Sequence, residues 1–256
     1  MCAHARPAHQ IIMMQPARHD WSAAREASLE VFLLGLVDFE ACLYLQDRLA
    51  HEVLQSAGPS GALLLCEHPA VVSVGREAGH DHVGFDRQAL AARLIDVHWT
   101  NRGGGCVLHL PGQLALYAIL PLDRLRLGLA EFRETLECAV LDVCQEFRVP
   151  AWRRAHQAGA WCRGGQIAEV GVAVRSHVST FGLTLNVAPR LDVLRELGPG
   201  AERHTSLAAQ RRAPVAMPQA REALIRRLAA RLGYARFHLF TGHPQLARRR
   251  KVVANA

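Results

Sequence analysis

One lysine, Lys251, stands among thirty basic residues, so every site upstream of the C-terminal tail must do without an amine side chain. The seven cysteines are an odd number with no C-x-x-C pair, which argues against a disulfide framework and for a reducing compartment. Long apolar runs are missing as well. "VFLLGLV" is far short of the ~20 residues a bilayer span needs, and the N-terminus lacks the apolar stretch of a secretory signal. Acid is nearly absent from residues 203–256, where Glu222 faces twelve Lys and Arg, a local net charge of +11 against −4 for residues 1–202. Such a face suits an acidic partner or is simply solvated. The fourteen histidines form no H-x-x-x-H or H-E-x-x-H pattern, and His80 with His82 is a weak pair, so no metal site is expected. The expectation is a cytoplasmic monomer with no metal, no cofactor, and neither nucleic acid nor membrane as partner.

What is present reads as one folded unit, since 256 residues with 50% hydrophobic content can bury a sizeable core. Residues 1–28 read as a disordered leader, 29–243 as the domain and 244–256 as a basic tail. Phe39, Cys42, Leu43, Leu49 and Val53 fall on one helical face. "ALLLCEHPAVVSVGRE" reads as two buried strands broken at His68 and Pro69, followed by a helical piece from Arg87 to Leu94. A strand from Leu114 to Leu120 precedes a helix from Glu131 to Phe147, whose apolar residues recur at helical spacing. A hairpin with a Gly-Gly turn contains Trp161 and Ile167 to Val174, and a further strand runs from Ser179 to Val187. "RLDVLRELGPGAERHTSL" reads as loop, and "PQAREALIRRLAARLG" as a helix with Leu224, Ile225, Leu228 and Leu232 inward and arginines outward. Strands and helices without regular βαβ alternation predict an α+β fold, a mixed sheet flanked by helices.

The chemistry concentrates in "NRGGGCVLHLPGQ", residues 101–113. Three consecutive glycines let backbone N–H groups come close to a ligand, and they exceed what a tight turn requires. His109 reads as a group that orients a ligand, or as a general base; Cys106, between Gly and Val, reads as a buried thiol.

Several blocks in order are similar to the octanoyltransferase family, the lipoate-protein ligase B type. "RGGGCVLHLPGQ" resembles its R-G-G-x-x-T-Y-H-G-P-G-Q block at Arg102, Gly103, Gly104, His109, Pro111, Gly112 and Gln113. "LLLCEHPAVVSVGRE", "GLVDFEACLYLQDRL" and "IAEVGVAVRSHVSTFGLTLNV" resemble three more blocks, so the likeness spans about residues 35–210. It implies the biotin and lipoate protein ligase fold, with an octanoyl group passed from acyl carrier protein to lipoyl domains. Carried over by position, acyl binding falls on Arg102, Gly103, Gly104, Gly105, Cys106, Val107, Leu108 and His109. It falls also on Glu169, Val170 and Gly171, and on Gly182, Leu183 and Thr184.

The departures fall on the reacting groups. The family lysine position is Gln166, the family cysteine position lies near Gly200, and no cysteine follows Cys162. Phe181 replaces a family histidine, and Leu108 and Leu110 replace tyrosine and glycine. The expectation is therefore a protein that binds the octanoyl or lipoyl group without the family's Cys/Lys chemistry, a pseudoenzyme. Two alternatives stand beside it: a rewired transferase using Cys106 or Cys162, with His109 as base for Cys106, and an ATP-dependent ligase of the lipoate-protein ligase A type whose glycine loop faces an adenylate.

Overall fold

The computed structural model describes residues 22, 24, 27–78, 87–197 and 204–246. In chain order the elements are β1 (Ser28–Leu36), α1 (Phe39–Gln55), β2 (Gly61–Glu67), β3 (Val71–Val74), α2 (Arg87–Ala92), β4 (Asp96–Trp99), β5 (Cys106–His109), β6 (Gln113–Ile119) and α3 (Leu129–Glu146). They continue with β7 (Ala151–Arg154), β8 (Gln157–Cys162), β9 (Gly165–Arg175), β10 (Val178–Asn186), α4 (Leu191–Leu197), α5 (Leu207–Arg211), α6 (Met217–Arg231) and β11 (Arg236–Thr241). Eight strands form one sheet in the order β11-β1-β2-β6-β10-β9-β8-β7, and three form a second, β4-β3-β5. The expected α+β architecture is present.

β2 is apolar at nearly every position because both faces of the large sheet are covered. Leu63 and Leu65 point into the core shared with Phe132 and Leu136 of α3 and Leu224 and Leu228 of α6. Leu64 and Cys66 point the other way, toward Cys42, Leu45 and Leu49 of α1. Asp38 starts α1 by accepting the Ala41 N–H at 2.9 Å. The small sheet packs Val72, Val74, Cys106 and Leu108 against Leu90 of α2 and Leu194 of α4. Among the described residues no helix is long and apolar enough to cross a membrane.

Four findings depart from the sequence reading. β1, β7 and β11 were not expected as strands; β1 lies inside the sheet and so carries no simple alternation, and β7 is only four residues long. The segment read as loop, residues 190–207, contains the helix α4 and ends at the first residue of α5. The arginines of α6 do face outward, but Arg226 and Arg227 both bind Glu146, and Arg231 binds Asp142, so α3 supplies acids to this surface. Of the expected leader only Ser22, Ala24 and 27–28 are described, and Ala24 and Ala27 are buried in the core.

Two local features position the site. β4 and β5 both pair with β3 and not with each other, so the glycine loop between them crosses the end of β3 and is not a tight hairpin turn. In the β8–β9 hairpin, Ala160 faces Ala168 while Trp161 faces Gln166, leaving Ile167 as the extra residue of a bulge. That bulge reverses the side-chain phase along β9.

Candidate functional site

A cavity of about 300 Å³ lies between the small sheet and strands β6, β8, β9 and β10 of the large one. Phe39, Val107, Tyr117, Trp161, Phe181 and Leu183 give it an apolar wall. Arg102, His109, Gln166, Glu169 and Thr184 contribute polar groups to the same space. The bulge at Ile167 is what lets Gln166 and Glu169, three residues apart, face one cavity.

Arg102, only 6% exposed, directs Nε and Nη2 to Ser73 Oγ at 3.3 and 2.8 Å, Nη2 also to the Ser73 carbonyl at 2.8 Å, and Nη1 to the Gly103 carbonyl at 3.0 Å. Two donations from Arg102 occupy both acceptor positions of the Ser73 hydroxyl. Its single proton therefore goes to His109 Nε2, 2.9 Å away. Burial, together with the nearby His68 and Arg102, holds the His109 pKa well below the ordinary histidine value, so the ring is neutral and carries its proton on Nδ1. Nδ1 is buried and has no hydrogen-bond partner among the described residues. The chain Arg102, Ser73, His109 thus ends in an unpaired donor on a residue that lines the cavity, and the indole N–H of Trp161 is a second one.

The glycine loop is pinned by its own amides. Gly103 N–H donates to the Val172 carbonyl at 2.9 Å, and Gly104, at φ +80°, donates to Glu77 Oε1 at 2.9 Å. Gly171 allows β9 to pass beneath the loop, since a Cβ there would lie 2.8 Å from the Gly103 carbonyl. The Gly103 and Gly104 amides are therefore engaged by protein acceptors and not open to a phosphate. The P-G-Q turn is structural too: Gln113 accepts from Leu110 N–H at 2.6 Å and donates to Asn186 Oδ1 at 2.8 Å, closing the passage from the small sheet to the large one.

Behind Phe39 and His109, His68 donates Nδ1–H to the Val37 carbonyl at 2.7 Å and accepts the Tyr117 hydroxyl at Nε2, 2.6 Å away. Burial lowers its pKa to about 4. Cys42, Cys66 and His68 bring their donor atoms within 4.8 Å of one another, the one such group of three among the described residues. Nε2 is already engaged by Tyr117, and burial raises the Cys66 pKa well above the ordinary thiol value, so this reads as a buried hydrogen-bonded cluster.

Glu169 carries the one cavity carboxyl whose pKa is strongly displaced. Although the residue is only half-buried, burial of its carboxyl raises the pKa to about 7, and the Arg102 charge offsets only part of that rise.

The expected site residues divide as follows. In the loop and β5, Arg102, Gly104, Gly105, Val107 and His109 line the cavity; in β9, Glu169, Val170 and Gly171 do; in β10, Gly182, Leu183 and Thr184 do. Gly103, Cys106 and Leu108 do not. Residues alternate along β5, so Cys106 and Leu108 point away from the cavity into the small-sheet core, opposite to Val107 and His109. This corrects the pairing of Cys106 with His109 as nucleophile and base. Cys162 is no better placed, since it packs in the core with Cys144 on the α3 side. The position near Gly200 lies outside the described residues. Sequence reasoning missed Phe39, Ser73, Glu77 and Tyr117. Ser73 and Tyr117, the polar members of the buried apolar strands "VVSV" and "LALYAI", were the signal available.

Residues 38–229 match the lipoyl protein ligase A/B catalytic domain. The chain belongs to this family. Within it the relatives are octanoyltransferases of lipoate biosynthesis. The mitochondrial octanoyl-[acyl-carrier-protein]:protein N-octanoyltransferase LIPT2 of Xenopus tropicalis is 38% identical over 161 residues, covering 62% of this chain and 66% of its own length. The octanoyltransferase of Desulfovibrio desulfuricans is 32% identical over 198 residues, covering 76% and 83%. Two solved structures share the fold of this octanoyltransferase-family chain. A putative lipoate protein ligase from T. acidophilum with bound lipoic acid has a TM-score of 0.71 at 17% identity, with 89% of this chain and 95% of that one covered. A lipoate-protein ligase A bound with ATP has a TM-score of 0.72 at 16% identity, with 89% and 94% covered.

Proposed function

We propose that this octanoyltransferase-family chain holds an octanoyl or lipoyl group non-covalently in the cavity. The group comes from acyl carrier protein and is destined for lipoyl domains, and no cysteine-bound acyl intermediate forms on the way. The observation that carries the proposal is the lining of the cavity. It contains no cysteine among the described residues, and Gln166, at the family lysine position, contributes a neutral amide. A neutral amide cannot hold a thiol as thiolate. Burying an eight-carbon chain against Phe39, Val107, Trp161, Phe181 and Leu183 stabilises the complex by roughly 4 to 6 kcal/mol at ~0.8 kcal/mol per methylene, enough for binding without a covalent bond.

Intact-mass measurement after mixing the protein with octanoyl-loaded acyl carrier protein tests this directly. The expected result is an unchanged protein mass together with calorimetric binding of octanoate. A stable octanoyl adduct on any cysteine overturns it.

A further inference from the structure

Glu169 is out of place in a site for a hydrocarbon chain. It pairs across β9 with Gly159 on β8 and Thr184 on β10, and the bulge at Ile167 turns it into the cavity beside Gln166. Arg102 directs its N–H groups to Ser73 and Gly103, and no described side chain forms an ion pair with the Glu169 carboxylate. The cavity also holds a buried donor with no partner, His109 Nδ1. An unpaired proton acceptor and an unpaired proton donor thus face one space on opposite sheets.

We propose that Glu169 is the general base, and His109 the carbonyl-binding donor, for direct transfer of the acyl group from a thioester to a lysine amine in this cavity. The proposal rests on the reading above that the acyl group enters here, and it replaces the pseudoenzyme expectation with a one-displacement route. The lysine ε-ammonium gives one proton to the Glu169 carboxylate. Its freed lone pair attacks the thioester carbonyl carbon, a C–N bond forms, and the carbonyl electrons move onto oxygen, which accepts a hydrogen bond from His109 Nδ1–H. The oxyanion then re-forms the carbonyl and the C–S bond breaks. The leaving thiolate takes the surplus proton from nitrogen, giving amide and thiol, and Glu169 returns its own proton to water. No lysine or cysteine of this chain takes part.

The base is matched to the task. An ordinary carboxylate is a weak base for an ammonium near pKa 10.4, and the raised Glu169 narrows that gap. The other titratable groups facing it are Arg102 and Glu77 beside the loop, His109 on β5, Tyr117 on β6 and His156 between β7 and β8, while Cys106, on the opposite side of β5, interacts with it electrostatically without lining the cavity. His109 and Tyr117 are held neutral by burial, and Arg102 keeps a charge that lowers Glu169 without neutralising it.

The test follows octanoyl transfer from octanoyl-loaded acyl carrier protein to a lipoyl domain by the mass of the lipoyl domain, with the full chain and its Glu169→Gln variant. Octanoate binding to each is measured in parallel by calorimetry. The parent is expected to transfer, with a rate that rises with pH through a limb near 7. Glu169→Gln is expected to bind octanoate within about threefold of the parent, to transfer ~10² to 10⁴ times more slowly, and to lose that limb. A parent that binds octanoate but transfers nothing overturns the direct-transfer step and leaves the binding reading standing. The proposal is also overturned by a variant that matches the parent in rate and pH profile, or by one that loses octanoate binding along with transfer. A parent that binds no octanoate defeats the binding reading itself.

Discussion

Ser73 is the residue on which the polar side of the site turns. It accepts twice from Arg102 and donates once to His109, so one hydroxyl holds a buried guanidinium and sets the tautomer of a buried imidazole. Ser73→Ala removes that acceptor and leaves Arg102 Nε without its only bond and His109 Nε2 without its donor. An unsatisfied buried polar group costs about 1 to 3 kcal/mol, so a loss of that size is expected in urea denaturation. The imidazole proton is then free to sit on either nitrogen, and ¹⁵N chemical shifts of His109 should change from one tautomer to a mixture. A variant with unchanged stability and an unchanged His109 spectrum would show that Ser73 does not govern the pair. Arg102 and His109 were legible in the sequence because they flank three glycines. Their connection was not, because Ser73 lies 36 residues before His109 on a neighbouring strand.

Elements were legible where one face is buried and the other wet. α1, α3 and α6 announced themselves by spacing, and their buried residues are largely the ones the spacing selects. β1 and β11 carried no such mark: β1 buries Leu29 and Val31 on one face and Phe32 on the other with Glu30 and Leu36 exposed, and β11 is an exposed edge strand. The bulge at Ile167 was illegible for another reason, since the extra residue is defined by the register with β8. The contact between α3 and α6 shows what spacing alone omits. The arginine face of α6 looks free in sequence, yet Glu146 of α3 takes Arg226 at 2.8 Å and Arg227 at 2.8 Å. These two arginines hold the Glu146 carboxyl below its ordinary pKa. Reversing both to glutamate therefore places three carboxylates together at the helix pair. Exposed pairs are each worth 0.2 to 1 kcal/mol, so the double reversal should cost roughly 1 to 2 kcal/mol once repulsion is included, and less in 1 M salt. Thermal melts at low and high salt check it; equal melting temperatures for parent and variant at low salt would mean the pairs contribute nothing to docking α6 on α3.

At the scale of the whole molecule, two titratable groups on neighbouring walls, the buried His68 and the half-buried Glu169, oppose each other in pH. His68 has a folded pKa of about 4 against about 6.5 unfolded, so the unfolded chain binds a proton that the folded chain refuses. Its contribution is complete above pH 6.5, and roughly 3 kcal/mol is lost as pH falls to 4. Glu169 has the opposite sign: raised from 4.5 to about 7, it favours the folded state below pH 4.5, and that advantage is lost as pH rises through 7. Between pH 4.5 and 6.5 the two slopes oppose, and water in the open cavity makes the Glu169 slope the shallower. Neither slope was legible in the sequence, because each depends on how deeply a carboxyl or an imidazole is covered by strands distant in the chain. Glu169→Gln separates them, since every other titrating group is common to parent and variant and cancels in the difference. The variant should match the parent near pH 4.5, gain on it steadily from pH 4.5 to 7, and stay more stable by a constant margin above that. Urea midpoints across pH 4 to 9 measure the difference. A difference that is flat with pH, or one that grows toward acid, would mean that the Glu169 carboxyl is as ionised at neutral pH as any surface glutamate, and the cavity would then hold a permanent anion where a proton acceptor near neutrality is required.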